Sequence, residues 1–230
     1  MFRNRSEVGK ELATHLGKYA NRNDVIVLGA PRGGVPVAFE IAEALKLPLD
    51  VFIVRKLGVP GHEELAFGAI ASGGVRVIDQ DIVDGHGMAA EDVEEVTRIE
   101  QREMQRRELV YRAGPRELNV RGLVVILVDD GIATGASIRA GIRALRQMKP
   151  ARIVVAVPVA PPSTCDHLRP ETDELVVLEK PEMFFGVGQF YADFSEVSDE
   201  QVVDLLTRAW HQSAEPKVSD TEFAHKGARQ

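Results

Sequence analysis

The run Leu123-Val124-Val125-Ile126-Leu127-Val128 contains no polar residue and is mostly β-branched. A strand with one face in water alternates apolar and polar side chains, whereas a strand covered on both faces reads as continuous apolar sequence. This segment therefore predicts a central strand with helices above and below it. Asp129, Asp130 and Gly131 follow at once, then Thr134, Gly135 and Ser137, and Ala136 to Met148 has helical spacing. The unit is strand, acidic and glycine-containing turn, helix.

The same alternation recurs along the chain. Val25 to Leu28 ends in Gly29-Ala30-Pro31-Arg32-Gly33-Gly34, after which Val35, Val37, Ala38, Ile41, Ala42 and Leu45 repeat at helical intervals. Leu49 to Val54 is a second apolar run, delivering Arg55 and Lys56 to a segment with Gly58, Pro60 and Gly61 that reads as a mobile loop. Leu65–Ile70 and Gly74–Asp79 read as short strands, Asp84-Gly85-His86-Gly87 as a turn, and Ala90 to Tyr111 as a charged amphipathic helix. Ile153–Val157 and Leu175–Leu178 repeat the strand signal. The expectation is an α/β fold with a central parallel sheet flanked by helices, whose ligands bind at the carboxyl ends of the strands. Residues 1–211 form one domain in this reading, and 212–230, polar and aperiodic, a disordered tail.

The 44% hydrophobic content suits a soluble globular protein, and 28 basic against 35 acidic residues give a net charge of -7. Without a basic patch beyond the Arg102–Arg107 helical stretch, nucleic acid and anionic membrane are disfavoured as partners. No secretory h-region follows Met1, and no run approaches the ~18 apolar residues of a membrane span, so the expected location is the cytoplasm. Cys165, the single cysteine, lies in the loop-like stretch Pro161-Pro162-Ser163-Thr164-Cys165 and is expected to be inert.

The chemistry concentrates at 129–137. Asp129 and Asp130 offer acceptors for sugar hydroxyls and an indirect magnesium site. The turn points backbone N–H groups at one anion, the following helix adds its positive end, and Thr134 and Ser137 add hydroxyl donors. No lysine stands in this loop, which separates it from a nucleotide P-loop.

Apolar strand, Asp-Asp pair and Thr-Gly-Ala-Ser turn together resemble the PRPP (phosphoribosyl pyrophosphate) signature of the type I phosphoribosyltransferases. The stretches Pro31-Arg32-Gly33-Gly34-Val35-Pro36-Val37-Ala38 and Arg55-Lys56-Leu57-Gly58-Val59-Pro60-Gly61 are similar to a bacterial branch of stand-alone phosphoribosyltransferase-domain proteins. The resemblance implies a type I fold with a small hood made from the N-terminal and about 179–195 segments. It implies that Asp129 and Asp130 bind the ribose hydroxyls, and that Gly131, Ile132, Ala133, Thr134, Gly135, Ala136 and Ser137 wrap the 5′-phosphate. Arg32, Gly33 and Gly34 would bind pyrophosphate, and Arg55 and Lys56 would open a flexible catalytic loop. Phe184 to Phe194 is similar to the family's C-terminal base-binding strand, with Phe185 stacking on a base, Val187 reading its edge and Asp193 joining Asp129 and Asp130 at Mg2+. Asp193 stands one residue further from Gly188 than that pattern, and Pro158-Val159-Ala160-Pro161-Pro162 lacks the salvage enzymes' lysine, so the base is not assigned.

The function expected from the resemblance is transfer of phosphoribose from PRPP to a small-molecule nitrogen acceptor, a nucleobase or related heterocycle, within nucleotide metabolism. The alternative is a PRPP-binding regulator without turnover. Exposed sheet edges or the Ala90–Tyr111 helix could support a homodimer.

Overall fold

The computed structural model describes residues 1–112 and 118–214. Asn4 caps α1 (Arg5–His15), its side chain accepting the Glu7 N–H at 2.9 Å. Next come β1 (Val25–Gly29), α2 (Gly34–Leu45) and β2 (Leu49–Val51), then β3 (Val54–Val59), β4 (His62–Ala71) and β5 (Val75–Ile78). Helices α3 (Gln80–Gly85) and α4 (Ala90–Tyr111) lead to β6 (Val124–Val128), α5 (Ala136–Gln147) and β7 (Arg152–Val159). The described chain ends with α6 (Pro162–Leu168), β8 (Glu174–Glu179) and α7 (Asp199–Ala214).

The main sheet is parallel, in the order β2-β1-β6-β7-β8, with Val27 beside Ile126 and Val125 beside Ile153. Strands β3, β4 and β5 form a separate antiparallel sheet. Both faces of the parallel sheet are covered, and the two cores divide by alternate residues. Val124, Ile126 and Val128 pack with α1, α2 and α7, while Val125 and Leu127 pack with Ile138, Ile142 and Leu145 of α5. The unbroken apolar run has its physical cause here: every side chain on β6 enters one core or the other.

After β1 the chain turns towards β2 at one edge, whereas after β6 it turns towards β7 and β8. Loops leaving the carboxyl ends of these adjacent strands therefore diverge and open a crevice between them.

Four sequence expectations are corrected. The segment after Arg55-Lys56 is not a loop but the β3–β4 hairpin, with Val59 opposite His62, irregular pairing at Gly58 and a tight Pro60-Gly61 turn. Pro161 to Cys165 is not a loop either: α6 starts at Pro162, where a ring-fixed φ and a missing N–H are tolerated. Phe184 to Phe194 forms no strand but a 3₁₀ turn at Val187–Phe190, with Tyr191 bridged to Phe2. Helix α7 continues through Ala214, past the predicted start of the tail, because Val202, Leu206 and Ala209 bury a stripe and Trp210 Nε1 donates to the Leu49 carbonyl at 3.0 Å. Residues 215–230 of that tail lie outside the described residues.

A buried charge ties α4 to β2. Arg112, 6% exposed, reaches Asp50 and Glu108 at 3.2 Å and donates to the Val51 carbonyl at 2.9 Å. Replacing Arg112 with Met strands the Asp50 carboxylate, and we expect a loss of about 3 kcal/mol of stability. Urea unfolding of the two proteins measures it directly.

Candidate functional site

The crevice between β1 and β6 brings two glycine-bearing loops into contact. The Ala30 N–H donates to the Val128 carbonyl at 2.8 Å, so the first loop continues the sheet pairing for one more residue. A Cβ built on Gly33 would lie 2.0 Å from Asp130 Oδ2, and one on Gly34 would lie 2.7 Å from the Val128 carbonyl oxygen. Only glycines let the Arg32-Gly33-Gly34 turn back so closely onto the Asp129–Asp130 pair. Two motifs almost a hundred residues apart in sequence thus form one wall.

Asp129 and Asp130 are both half-buried. The Asp130 N–H donates to Asp129 Oδ1 at 2.9 Å, and the Asp130 carbonyl accepts the Tyr191 hydroxyl at 2.7 Å. Burial, and then the neighbouring Asp130 charge, push Asp129 well above the usual carboxylate range. Burial raises Asp130 too, against the opposing pull of Arg5, whose Nε and Nη2 both lie 2.8 Å from Asp130 Oδ2.

Beyond the pair, Gly135 caps α5 with φ +79, a left-handed conformation that glycine adopts without strain. Ala133, Thr134, Ala136 and Ser137 are exposed, as donors facing a ligand must be, while Ile132 is buried and its N–H is taken by the Val159 carbonyl at 2.9 Å. Ile132 therefore drops out of the predicted cradle. From below, Thr164 of α6 donates its hydroxyl to the Ala133 carbonyl at 2.6 Å. Sequence reasoning missed Thr164 and Arg5, and the signal was weak: a threonine in a presumed loop and an arginine in a charged first helix.

The remaining predicted residues are placed less uniformly. Arg32 forms an ion pair with Glu196, and Arg55 pairs with Glu100 of α4 at 2.6 Å. Arg55, Lys56, Glu100 and Ser137 line one cavity of about 550 Å³, so β3 faces the first turn of α5. Val187 sits on Gly131, where a Cβ would come within 2.5 Å of its Cγ1. Phe185 is 91% exposed, with its N–H donated to Gln189. Among the described residues no three Asp, Glu, His or Cys side chains come together as a ligand set, so Asp193 is not gathered with Asp129 and Asp130 here. Hydrogen bonds from the Ser195 hydroxyl and N–H hold its carboxylate below the usual range.

A doubly covered parallel sheet with a glycine-walled carboxylate pair and an exposed hydroxyl turn at its switch point defines an α/β protein suited to a phosphorylated ligand. The phosphoribosyl transferase domain family matches residues 3–195, and this chain belongs to that family. Two Mycobacterium tuberculosis proteins, of strains CDC 1551 and H37Rv, are named provisionally as phosphoribosyl transferases. Each is 43% identical over 220 residues, which make up 96% of this chain and 49% of theirs. The chain therefore spans about half the length of the curated relatives it matches. The crystal structure of TT1426 from Thermus thermophilus is 39% identical, with a TM-score of 0.81 over 90% of this chain and 98% of that one. No helix among the described residues is long and apolar enough to cross a membrane.

The raised value of Asp129 makes a stability prediction. A carboxyl whose folded value lies above its unfolded value stabilises fully below the unfolded value, 3.8, and that contribution is lost as pH rises through the folded value. Asp129→Asn removes the titration while keeping an acceptor for the Asp130 N–H. We expect its melting temperature to exceed that of the parent at pH 8 and the difference to vanish towards pH 3, as followed by circular dichroism.

Proposed function

We propose that this chain moves 5-phosphoribose from PRPP to a nitrogen nucleophile, a nucleobase or related heterocycle, and releases pyrophosphate. The observation that carries the reading is the Asp129–Asp130 pair, backed by Gly33 and Gly34 and running into the exposed Thr134–Ser137 turn at the start of α5. Asp129 and Asp130 accept hydrogen bonds from the ribose hydroxyls. Backbone N–H groups of 133–137, with the Thr134 and Ser137 hydroxyls, hold the 5′-phosphate at the positive end of the helix. Arg32 and the Gly33–Gly34 backbone take the pyrophosphate.

In the transfer, the anomeric C–O bond to pyrophosphate breaks, the anomeric C–N bond forms, and the acceptor loses the proton of that nitrogen. Positive charge grows on the sugar while negative charge grows on the leaving group, so the protein's main task is electrostatic. Asp129 and Asp130 are hard oxygen donors that fit magnesium, but as only two carboxylates they suit an ion shared with substrate phosphates and water. When bound, magnesium supplies neutralisation of the departing pyrophosphate. Phe185 offers an exposed ring for stacking on the acceptor, beside Val187. A cytoplasmic place in nucleotide metabolism belongs to the same reading.

Arg55 reaches pyrophosphate by exchanging Glu100 for phosphate oxygens, and Lys56 lies beside it on β3. Arg55→Ala should lower turnover by roughly 100- to 1000-fold, the ~2.7–4 kcal/mol of one lost transition-state donor, with a far smaller change in PRPP affinity. Pyrophosphate release and calorimetry measure the two effects separately.

The observation favouring a PRPP-binding regulator is that Arg32 and Arg55 are both engaged by carboxylates, Glu196 and Glu100. Calorimetric titration with PRPP and magnesium, on the parent and on Asp129→Asn/Asp130→Asn, tests the shared premise. Binding that requires magnesium and disappears in the double variant is expected; no binding at millimolar PRPP sinks both readings. Pyrophosphate release with a panel of bases then separates enzyme from regulator.

A further inference from the structure

We infer that Arg5 is a positioning residue for ribose recognition, fixing Asp130 in the orientation that accepts the sugar hydroxyls; the inference rests on the PRPP-binding reading above. Arg5 lies in the first turn of α1, 125 residues before its partner. Its Nε and Nη2 both contact Asp130 Oδ2 at 2.8 Å, and its Nη1 donates to the Ser195 carbonyl at 2.8 Å. The guanidinium carbon lies 4.0 Å from the centre of the Phe194 ring. The two side chains are only 12% and 14% exposed, so water screens their attraction poorly.

These contacts fix the guanidinium independently of Asp130. Ser195 holds one end of the fork and the Phe194 ring lies over its carbon, so the carboxylate meets a cation held from two sides. Tyr191 holds only the Asp130 backbone, through its carbonyl, and Gly33 leaves room for Oδ2, so the orientation of the carboxylate falls to Arg5. A carboxylate with one oxygen fixed by Arg5 presents the other in a constant place, which a pair of ribose hydroxyls needs. Without Arg5, Asp130 would be free to turn away from Asp129, whose charge repels it. Lysine carries the charge but lacks the planar fork that reaches Asp130 and Ser195 together.

The test uses the whole chain and two probes, magnesium–PRPP and metal-free pyrophosphate, the second lacking both the ribose and the ion that Asp130 would help to hold. Arg5→Ala should weaken PRPP binding about tenfold or more, the size of one lost hydrogen bond to a charged group, while pyrophosphate binding stays within about twofold. Arg5→Lys should recover part of the loss. On an Asp130→Asn background, Arg5→Ala should have little additional effect, since the two act through one contact. PRPP affinity that is unchanged or tighter in Arg5→Ala overturns the inference, the tighter case making Arg5 a plug. Equal weakening towards both probes also overturns it, because a merely loosened fold does that. Should Arg5→Ala fail to fold, Arg5→Lys carries the same comparison. Absence of PRPP binding by the unaltered protein sinks the functional reading itself, and so is distinguishable from a failure confined to Arg5.

Discussion

Two carboxylates placed side by side at the end of a buried strand repel each other and lose much of their hydration, and the architecture around β6 exists to hold them there against that cost. The cost is visible in the upward pull on both acids, for which burial is the leading cause. What offsets it is the Asp130 N–H donated to Asp129 and the Arg5 guanidinium on Asp130. A core that sought stability alone would place uncharged residues at 129 and 130. Acids at such a position are what the proposed binding role would require at the expense of the fold.

The sequence disclosed what is local. Strand β6, its acidic end and the turn into α5 occupy fourteen consecutive positions, 124–137, and their conformation follows from periodicity, charge and glycine placement within that window. Helix α4 was equally legible, its charged period being self-contained. Tertiary consequences were not legible. Gly58, Pro60 and Gly61 signal a break, but whether the break is a long loop or a tight hairpin depends on Val54 to Leu57 finding Gly68 to Ala71 across from them. Thr164 gains its importance only when α6 is brought beneath Ala133. Arg5 looks like any surface cation until the chain has folded round to place Asp130, Phe194 and Ser195 about it.

The N-terminal residues and the stretch 190–195 depend on each other in the same way. Phe2 donates its N–H to the Phe190 carbonyl at 2.7 Å and accepts from Ala192 at 2.8 Å, while Asp193 donates to the Arg3 carbonyl. Neither stretch has a strand partner in the main sheet, so each supplies the other's backbone hydrogen bonds. The Phe2 and Tyr191 rings pack 5.6 Å apart, and Tyr191 reaches Asp130. Displacement of either stretch is therefore felt at the acidic pair.

The cations around the crevice divide into two kinds by their surroundings. Arg5 is enclosed, and separating it from Asp130 leaves an acid stranded in a poorly hydrated place. Arg32 and Arg55 sit in wetter pairs, with side chains 41% and 29% exposed and partners, Glu196 and Glu100, that are 78% and 23% exposed. An exposed pair such as Arg32–Glu196 contributes roughly 1 kcal/mol or less, so a more highly charged phosphate oxygen could displace that glutamate at little cost, whereas the half-buried Arg55–Glu100 pair is held more firmly. The arrangement suits a ligand with two charged ends and a neutral middle. On the proposed reading, a fixed cation orders the acids meant for the sugar, while exchangeable cations stand where the phosphates would arrive. In that reading Glu196 and Glu100 hold Arg32 and Arg55 in the place of the ligand's own charge.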